Sequence, residues 1–258
     1  MIQDKTLKDI KKTTHSKETI IELKNVCKSF GDNAVLKGIN LAVEKGENLV
    51  ILGRSGSGKS ITIKCLVGLV HADEGEITIF GNDITNLKES DLNNIRVRIG
   101  FLFQNGALYD SMTVRQNLEF TLKHHSPNAT SNEVNQAILE ALESVGLEEA
   151  IDKMPSELSG GMRKRIGLAR TVIIKPEIIL YDEPTTGLDA ITSREISELI
   201  LYVQKKYKTT SIIITHDMAC AKLTGNRIMI LKDGVICAEG SYAALEKSKD
   251  EWVRSFFI

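Results

Sequence analysis

The chain has 258 residues, 42% of them hydrophobic and 26% charged, with a formal net charge of −1. That balance fits one large globular domain or a core with an inserted piece, and it speaks against a basic grip on nucleic acid. No apolar run approaches the roughly 20 residues that a membrane-spanning helix needs, and four scattered cysteines without a CxxC pair read as reduced thiols.

The first segment, residues 1–19, is polar and Lys-rich without the apolar stretch of a signal peptide. Ile2, Leu7 and Ile10 allow a weak amphipathic turn, but the composition predicts a frayed tail. From Thr19 onward, short apolar runs alternate with helical patterns, which predicts an α/β fold with a mostly parallel sheet. "TIIELKNV" and "LKGINLAV", joined through "KSFGDNA", predict an antiparallel pair. Phe30 in that link serves either as a stacking surface for a flat ring or as a plain hydrophobic contact.

The strand "ENLVILG" runs into "GRSGSGKS", Gly53 to Ser60, and then into the helical "KSITIKCLVGLV". Strand, Gly-rich loop and helix in this order make a P-loop. Gly53, Arg54, Ser55, Gly56, Ser57 and Gly58 supply backbone N–H groups that curl around phosphate oxygens. Lys59 brings a charge to the β and γ phosphates of ATP, and the Ser60 hydroxyl is a ligand for Mg²⁺. Further strands are expected at "GEITIF" and "IGFLFQ". Gln104 ends the latter, where its amide can reach Mg²⁺ and water.

Between Val114 and Met154 the pattern is wholly helical, which predicts a helical subdomain at about residues 105–160. One helix there is marked by a capping box, Thr130 to Glu133, and by Gly146 as its stop. "LSGGMRKRIGLAR" follows: Ser159, Gly160 and Gly161 open a basic amphipathic helix whose N-terminus suits an anion. It is either an ordinary helix start or a second phosphate grip. Since Gly53–Ser60 already holds this chain's own ATP, a second grip would serve the nucleotide of another copy.

The buried strand "EIILYD" ends in Asp182, a candidate for the water shell of Mg²⁺, and Glu183 follows as candidate general base. Strand alternation is expected to turn the two carboxylates opposite ways. Asp189, in "TTGLDA", is placed to signal across an interface between copies. The next helix, "ITSREISELILYVQKKY", is expected to start with a box of Thr192 and Glu195 and a staple of Ile191 and Ile196. His216 ends the apolar strand "SIIIT", close enough in a parallel sheet to contact the γ-phosphate. "RIMILK" and "GVICAEG" complete the strands. In residues 241–258, Trp252, Phe256 and Phe257 either fray or clasp a second copy, and the clasp is expected because those rings would otherwise face water.

In order and spacing, "GRSGSGKS", Gln104, "LSGGM", "ILYDE", "GLD" and His216 resemble the ATP-binding subunit of ABC transporters, over residues 20–240. The resemblance implies a RecA-like P-loop NTPase core with an antiparallel β subdomain and an inserted helical subdomain. It implies a homodimer that sandwiches ATP and Mg²⁺, peripheral to the cytoplasmic side of the inner membrane beneath permease subunits. In the family's pattern Phe30 takes the adenine-stacking position and Glu183 that of the catalytic base. "FLFQNGALYDSMTV", "LSGGMRKRIGLAR" and "LYDEPTTGLDAITS" are most similar to Mla-type ATPases, which move phospholipid with MCE lipid-binding proteins. Met162 stands where many ABC proteins have Gln, a departure that this subfamily shares. An importer of amino acids or another small solute, or a soluble ABC ATPase, are the alternatives.

Overall fold

The structure is a computed structural model that describes residues 18–257. The expectations for Ile2, Leu7 and Ile10 lie outside the described residues. Two sheets organise the chain. The first is antiparallel, in the order β2 (Asn33–Glu44), β1 (Thr19–Phe30), β4 (Glu74–Ile79) and β5 (Asn82–Asp83). The second runs β10 (Val235–Gly240), β9 (Arg227–Lys232), β3 (Asn48–Leu52), β8 (Thr210–Thr215), β7 (Ile178–Asp182) and β6 (Ile99–Leu102). Its pairs are parallel except for β10 against β9.

The central strands β3, β7 and β8 are buried at every position and mostly apolar, because both of their faces are covered. Leu49, Ile51, Ile178, Leu180, Ile212 and Ile214 point into a core shared with the antiparallel sheet and the helix α1 (Lys59–Leu66). Val50, Leu52, Ile179, Tyr181 and Ile213 point the other way, into a core shared with helices. Those helices include α3 (Val114–His125), α4 (Ser131–Glu143), α5 (Gly160–Val172), α6 (Ala190–Tyr207) and α7 (Met218–Thr224). A short α2 (Glu89–Arg96) packs Leu92 and Ile95 on the opposite side. Among the described residues no strand lies between 105 and 160.

Helix α4 has the Thr130–Glu133 box, with Val134, Ile138, Ala141 and Leu142 buried. Helix α6 departs from expectation. Its N-cap is Asp189, which accepts from Ile191 N and Thr192 N at 3.0 Å each, so the helix starts before Thr192 and no Thr192–Glu195 box forms. Ile191 is 74% exposed and staples nothing, while Glu195 pairs with Arg165 at 2.6 Å. An Asp cap three residues upstream satisfies the orphan N–H groups of an earlier first turn and wins the competition.

The C-terminal rings are partly covered by their own chain. After α8 (Tyr242–Glu246), α9 (Glu251–Arg254) brings Trp252, Phe256 and Phe257 against the helix-side core, with Trp252 and Phe256 edge-on at 4.9 Å. Phe257 meets Tyr242 edge-on at 5.0 Å, and Lys232 Nζ lies 4.5 Å from the Trp252 ring centre. The rings are thus half-buried on their own chain, which weakens the reason for expecting a clasp.

Candidate functional site

β3 sits between β8 and β9 in the sheet, so the loop that leaves its C-terminal end opens beside the ends of both neighbours. Gly53 is confined there: a Cβ would lie 2.5 Å from the Leu231 carbonyl oxygen and 2.6 Å from Ser57 Oγ. Gly58, the N-cap of α1, has φ +106°, where other residues are strained. The loop thus hugs its own backbone and leaves a cleft of about 700 Å³ lined by Arg54, Ser55, Gly56, Gly58, Lys59 and Ser60. Lys59 Nζ donates to the carbonyls of Gly53 at 2.8 Å and Arg54 at 3.2 Å. The Ser57 hydroxyl is buried beside Gly53 without a hydrogen-bond partner among the described residues, and Ser57 does not line the cleft.

The acidic groups converge on this cleft from β7. Ser60 Oγ donates to Asp182 Oδ1 at 3.1 Å, joining the start of α1 to the last residue of β7. Burial holds the Asp182 carboxyl above its usual pKa, opposed by that hydrogen bond. A hydroxyl and a desolvated carboxylate in contact are oxygen donors of the kind Mg²⁺ takes, and a cation there would offset the burial.

Glu183 leaves β7 in the left-handed region, at φ +51°. A turn, and not strand alternation, aims its side chain. The carboxylate is then held from several directions. His216 Nδ1 lies 2.8 Å from Oε2, His216 N donates at 3.3 Å and Thr186 Oγ1 at 3.2 Å, while Lys59 Nζ is 3.7 Å from Oε1. His216, just past β8, lines the same cleft and its side chain is 64% exposed. Phe30, at the end of β1, forms the lip and is 50% exposed, a flat face presented to whatever occupies the cleft. Gln104 is exposed and stands two residues beyond the end of β6, in a turn instead of at the strand's end as expected. It lines both this cleft and a neighbouring hollow of about 300 Å³.

Ser159, Gly160, Gly161 and Asp189 do not line the cleft. Ser159 caps α5 by accepting from Met162 N at 3.2 Å, and both Ser159 and Gly160 are exposed. The two glycines differ. A Cβ on Gly161 would lie 2.6 Å from Thr192 Cγ2, so Gly161 is needed for packing, whereas one on Gly160 meets only Leu188 Cδ2 at 3.6 Å. Asp189 is occupied as the cap of α6 and also accepts from Thr192 Oγ1 at 2.7 Å. Those Thr192 bonds hold its carboxyl below the usual range.

Sequence reasoning missed Thr186 and Lys164. Lys164 is buried, donating to the carbonyl of Gln104 and, at 3.1 Å, to that of Glu183. Nothing in "MRKRIG" separates it from the exposed Arg163 beside it.

A family model for the ABC transporter matches residues 36–186, which takes in the P-loop, Gln104, Ser159 and Glu183. This chain is an ABC transporter ATPase subunit. It is 37% identical to the intermembrane phospholipid transport system ATP-binding protein MlaF of Haemophilus influenzae, over 93% of this chain and 90% of that protein. To the methionine import ATP-binding protein MetN of Rhizobium johnstonii it is 41% identical over 86% of its length, and it spans 61% of that relative. A solved ATP-binding cassette, in a dimeric post-hydrolysis state bound to ADP and Pi, matches with a TM-score of 0.78 at 35% identity, covering 86% of this chain and 98% of that one. As an ABC ATPase the chain is an ATP hydrolase with a P-loop core, and among its described residues no helix is long and apolar enough to cross a membrane.

Proposed function

We propose that this subunit drives phospholipid movement between membranes, working as a homodimer beneath a permease and with an MCE-type lipid-binding protein. The observation that carries the dimer is the separation of the two anion sites. The P-loop cleft gathers Glu183, His216 and Gln104 from its own chain but not Ser159 or Gly160, which stand exposed at a helix N-terminus outside it. Two copies facing head to tail would complete each other's sites. The phospholipid assignment is supported by the likeness to MlaF along almost all of both chains.

In this reading Lys59 and the loop N–H groups hold the β and γ phosphates, and Phe30 stacks on the base. Ser60 and Asp182 would hold Mg²⁺, which when bound neutralises charge on the β and γ oxygens. Glu183, fixed by His216 and Thr186, orients a water in line with the γ-phosphorus and takes its proton. The water oxygen bonds to phosphorus as the bond to the bridging oxygen breaks, and ADP leaves with that electron pair. His216 presents its ring to the γ-phosphate, Gln104 would help to hold Mg²⁺ and the water, and the partner copy's helix N-terminus covers the same phosphate. Asp189, capping α6, holds the neighbouring loop at the interface. The complex would sit with this subunit peripheral to the cytoplasmic side of the inner membrane.

Mixing Lys59→Ala chains with Ser159→Arg chains tests the shared site. Neither homodimer should turn over ATP, while the mixture regains one intact composite site per mixed dimer. A mixture as inactive as its components, or an active isolated monomer, rejects the reading. Purifying the tagged subunit with its membrane complex tests the cargo. A lipid-binding MCE partner supports phospholipid, and a soluble solute-binding protein supports the MetN-like alternative.

A further inference from the structure

Lys164 lies within the first two turns of α5, the helix whose N-terminus is exposed at Ser159 and Gly160. Its buried ammonium donates to two carbonyls from different loops, Gln104 and Glu183. Burying an ammonium is costly unless its donors are satisfied, so both loops are held to the helix by charge-assisted bonds. The surrounding contacts make that junction stiff. A Cβ on Gly167 would stand 3.0 Å from Gly106 Cα, a close crossing of α5 with the Gln104 turn. One turn on, Arg170 donates to the carbonyls of Ala107 and Gly106. Helix α5 and the Gln104 turn are thus bound together, and Lys164 extends that connection to the residue whose carboxylate faces the cleft.

In a head-to-tail dimer the two ends of this connection serve different nucleotides. Ser159 and Gly160 face the partner's ATP, whereas Gln104 and Glu183 face the chain's own. We propose that Lys164 is a positioning residue that couples the two ATP sites of the dimer. Closure of α5 on the partner's γ-phosphate is passed by Lys164 to the backbone of Gln104 and Glu183, setting them for the second nucleotide. This rests on the shared-site reading above.

The test is the ATP dependence of turnover by the intact chain and its Lys164→Met and Lys164→Arg variants. The unaltered dimer should show a Hill coefficient well above 1, approaching the limit of 2 set by two sites. Lys164→Met should bring it to about 1, while single-site ATP affinity changes less than about twofold. Lys164→Arg, which still donates to two carbonyls, should keep it. A merely structural lysine would change the rate or the melting midpoint and leave the Hill coefficient alone, and that result overturns the proposal. So does a coefficient of 1 for the unaltered chain. Should Lys164→Met fail to fold, Lys164→Gln, with a shorter uncharged arm, makes the same comparison. ATP-dependent dimerisation of Glu183→Gln, followed by size exclusion, tests the shared site separately. Its failure removes both readings, whereas its success beside an unmoved Hill coefficient removes only the coupling.

Discussion

The two anion sites of this molecule are built on opposite plans. At Gly53–Ser60, Gly53 and Gly58 are packed against their own chain, the lysine is buried, and carboxylates arrive from β7, four strands on in sequence but with only β8 between it and β3 in the sheet. At Ser159–Gly161 a helix N-terminus stands exposed, capped by its own serine, and Gly160 lies outside the cleft in a smaller hollow with Gln104, Arg163 and Lys164. The first site is a finished pocket and the second is half of one. A glycine therefore means different things in each place: backbone geometry at Gly53 and Gly58, helix packing at Gly161, and an open face at Gly160.

The strongest way to break this contrast is at the finished pocket. Lys59→Ala should abolish turnover and weaken ATP binding, measured by hydrolysis and by titration with a fluorescent ATP analogue. Glu183→Gln should lower kcat by about 10²–10⁴ while keeping ATP affinity, as loss of a general base does. Near-normal turnover would remove Glu183 from that role. The half-site is probed by a matched pair. Gly161→Ala should lower the melting midpoint because of the 2.6 Å approach to Thr192, whereas Gly160→Ala should melt normally but dimerise less with ATP.

Asp182 gives a smaller effect with a definite sign. Burial holds its carboxyl above the usual value, so the folded chain binds that proton more tightly than the unfolded one. Stability falls as pH rises through the unfolded value towards the raised folded value, and the loss is complete above it. Asp182→Asn should therefore raise the melting midpoint at neutral pH without Mg²⁺, and should lose the further rise that Mg²⁺ with ATP gives the unaltered chain. The smallest change is expected from Trp252→Ala. Because Trp252 packs on its own chain, it should lower the melting midpoint and leave ATP-dependent dimerisation unchanged.

Much of the site was readable before the fold was known, since the groups that grip a phosphate are consecutive in the chain. Gly53 to Ser60 needs only a strand before it and a helix after it. Asp182 and His216 were marked by apolar strands ending in polar residues, at the edge of a sheet where such strands stop together. The start of α6 was misjudged because two caps compete within a few residues, and local patterns do not rank Asp189 against Thr192. The aim of Glu183 was misjudged because alternation stops where a positive φ begins, a feature a Glu does not advertise. The packing of Trp252 and its neighbours on their own chain was not legible, because apolar residues in a tail do not say which surface covers them.

By itself, then, the order of residues determined which groups this protein uses for chemistry, for phosphate contacts run through short stretches of backbone and their immediate side chains. Only the tertiary structure decided which of those groups face one another. Strand order set Lys59, Glu183 and His216 around one cleft, put Asp182 behind it against Ser60, and left Ser159 and Gly160 outside it. It also made Lys164 a junction, because a buried ammonium takes its meaning from carbonyls that lie 60 and 19 residues away along the chain.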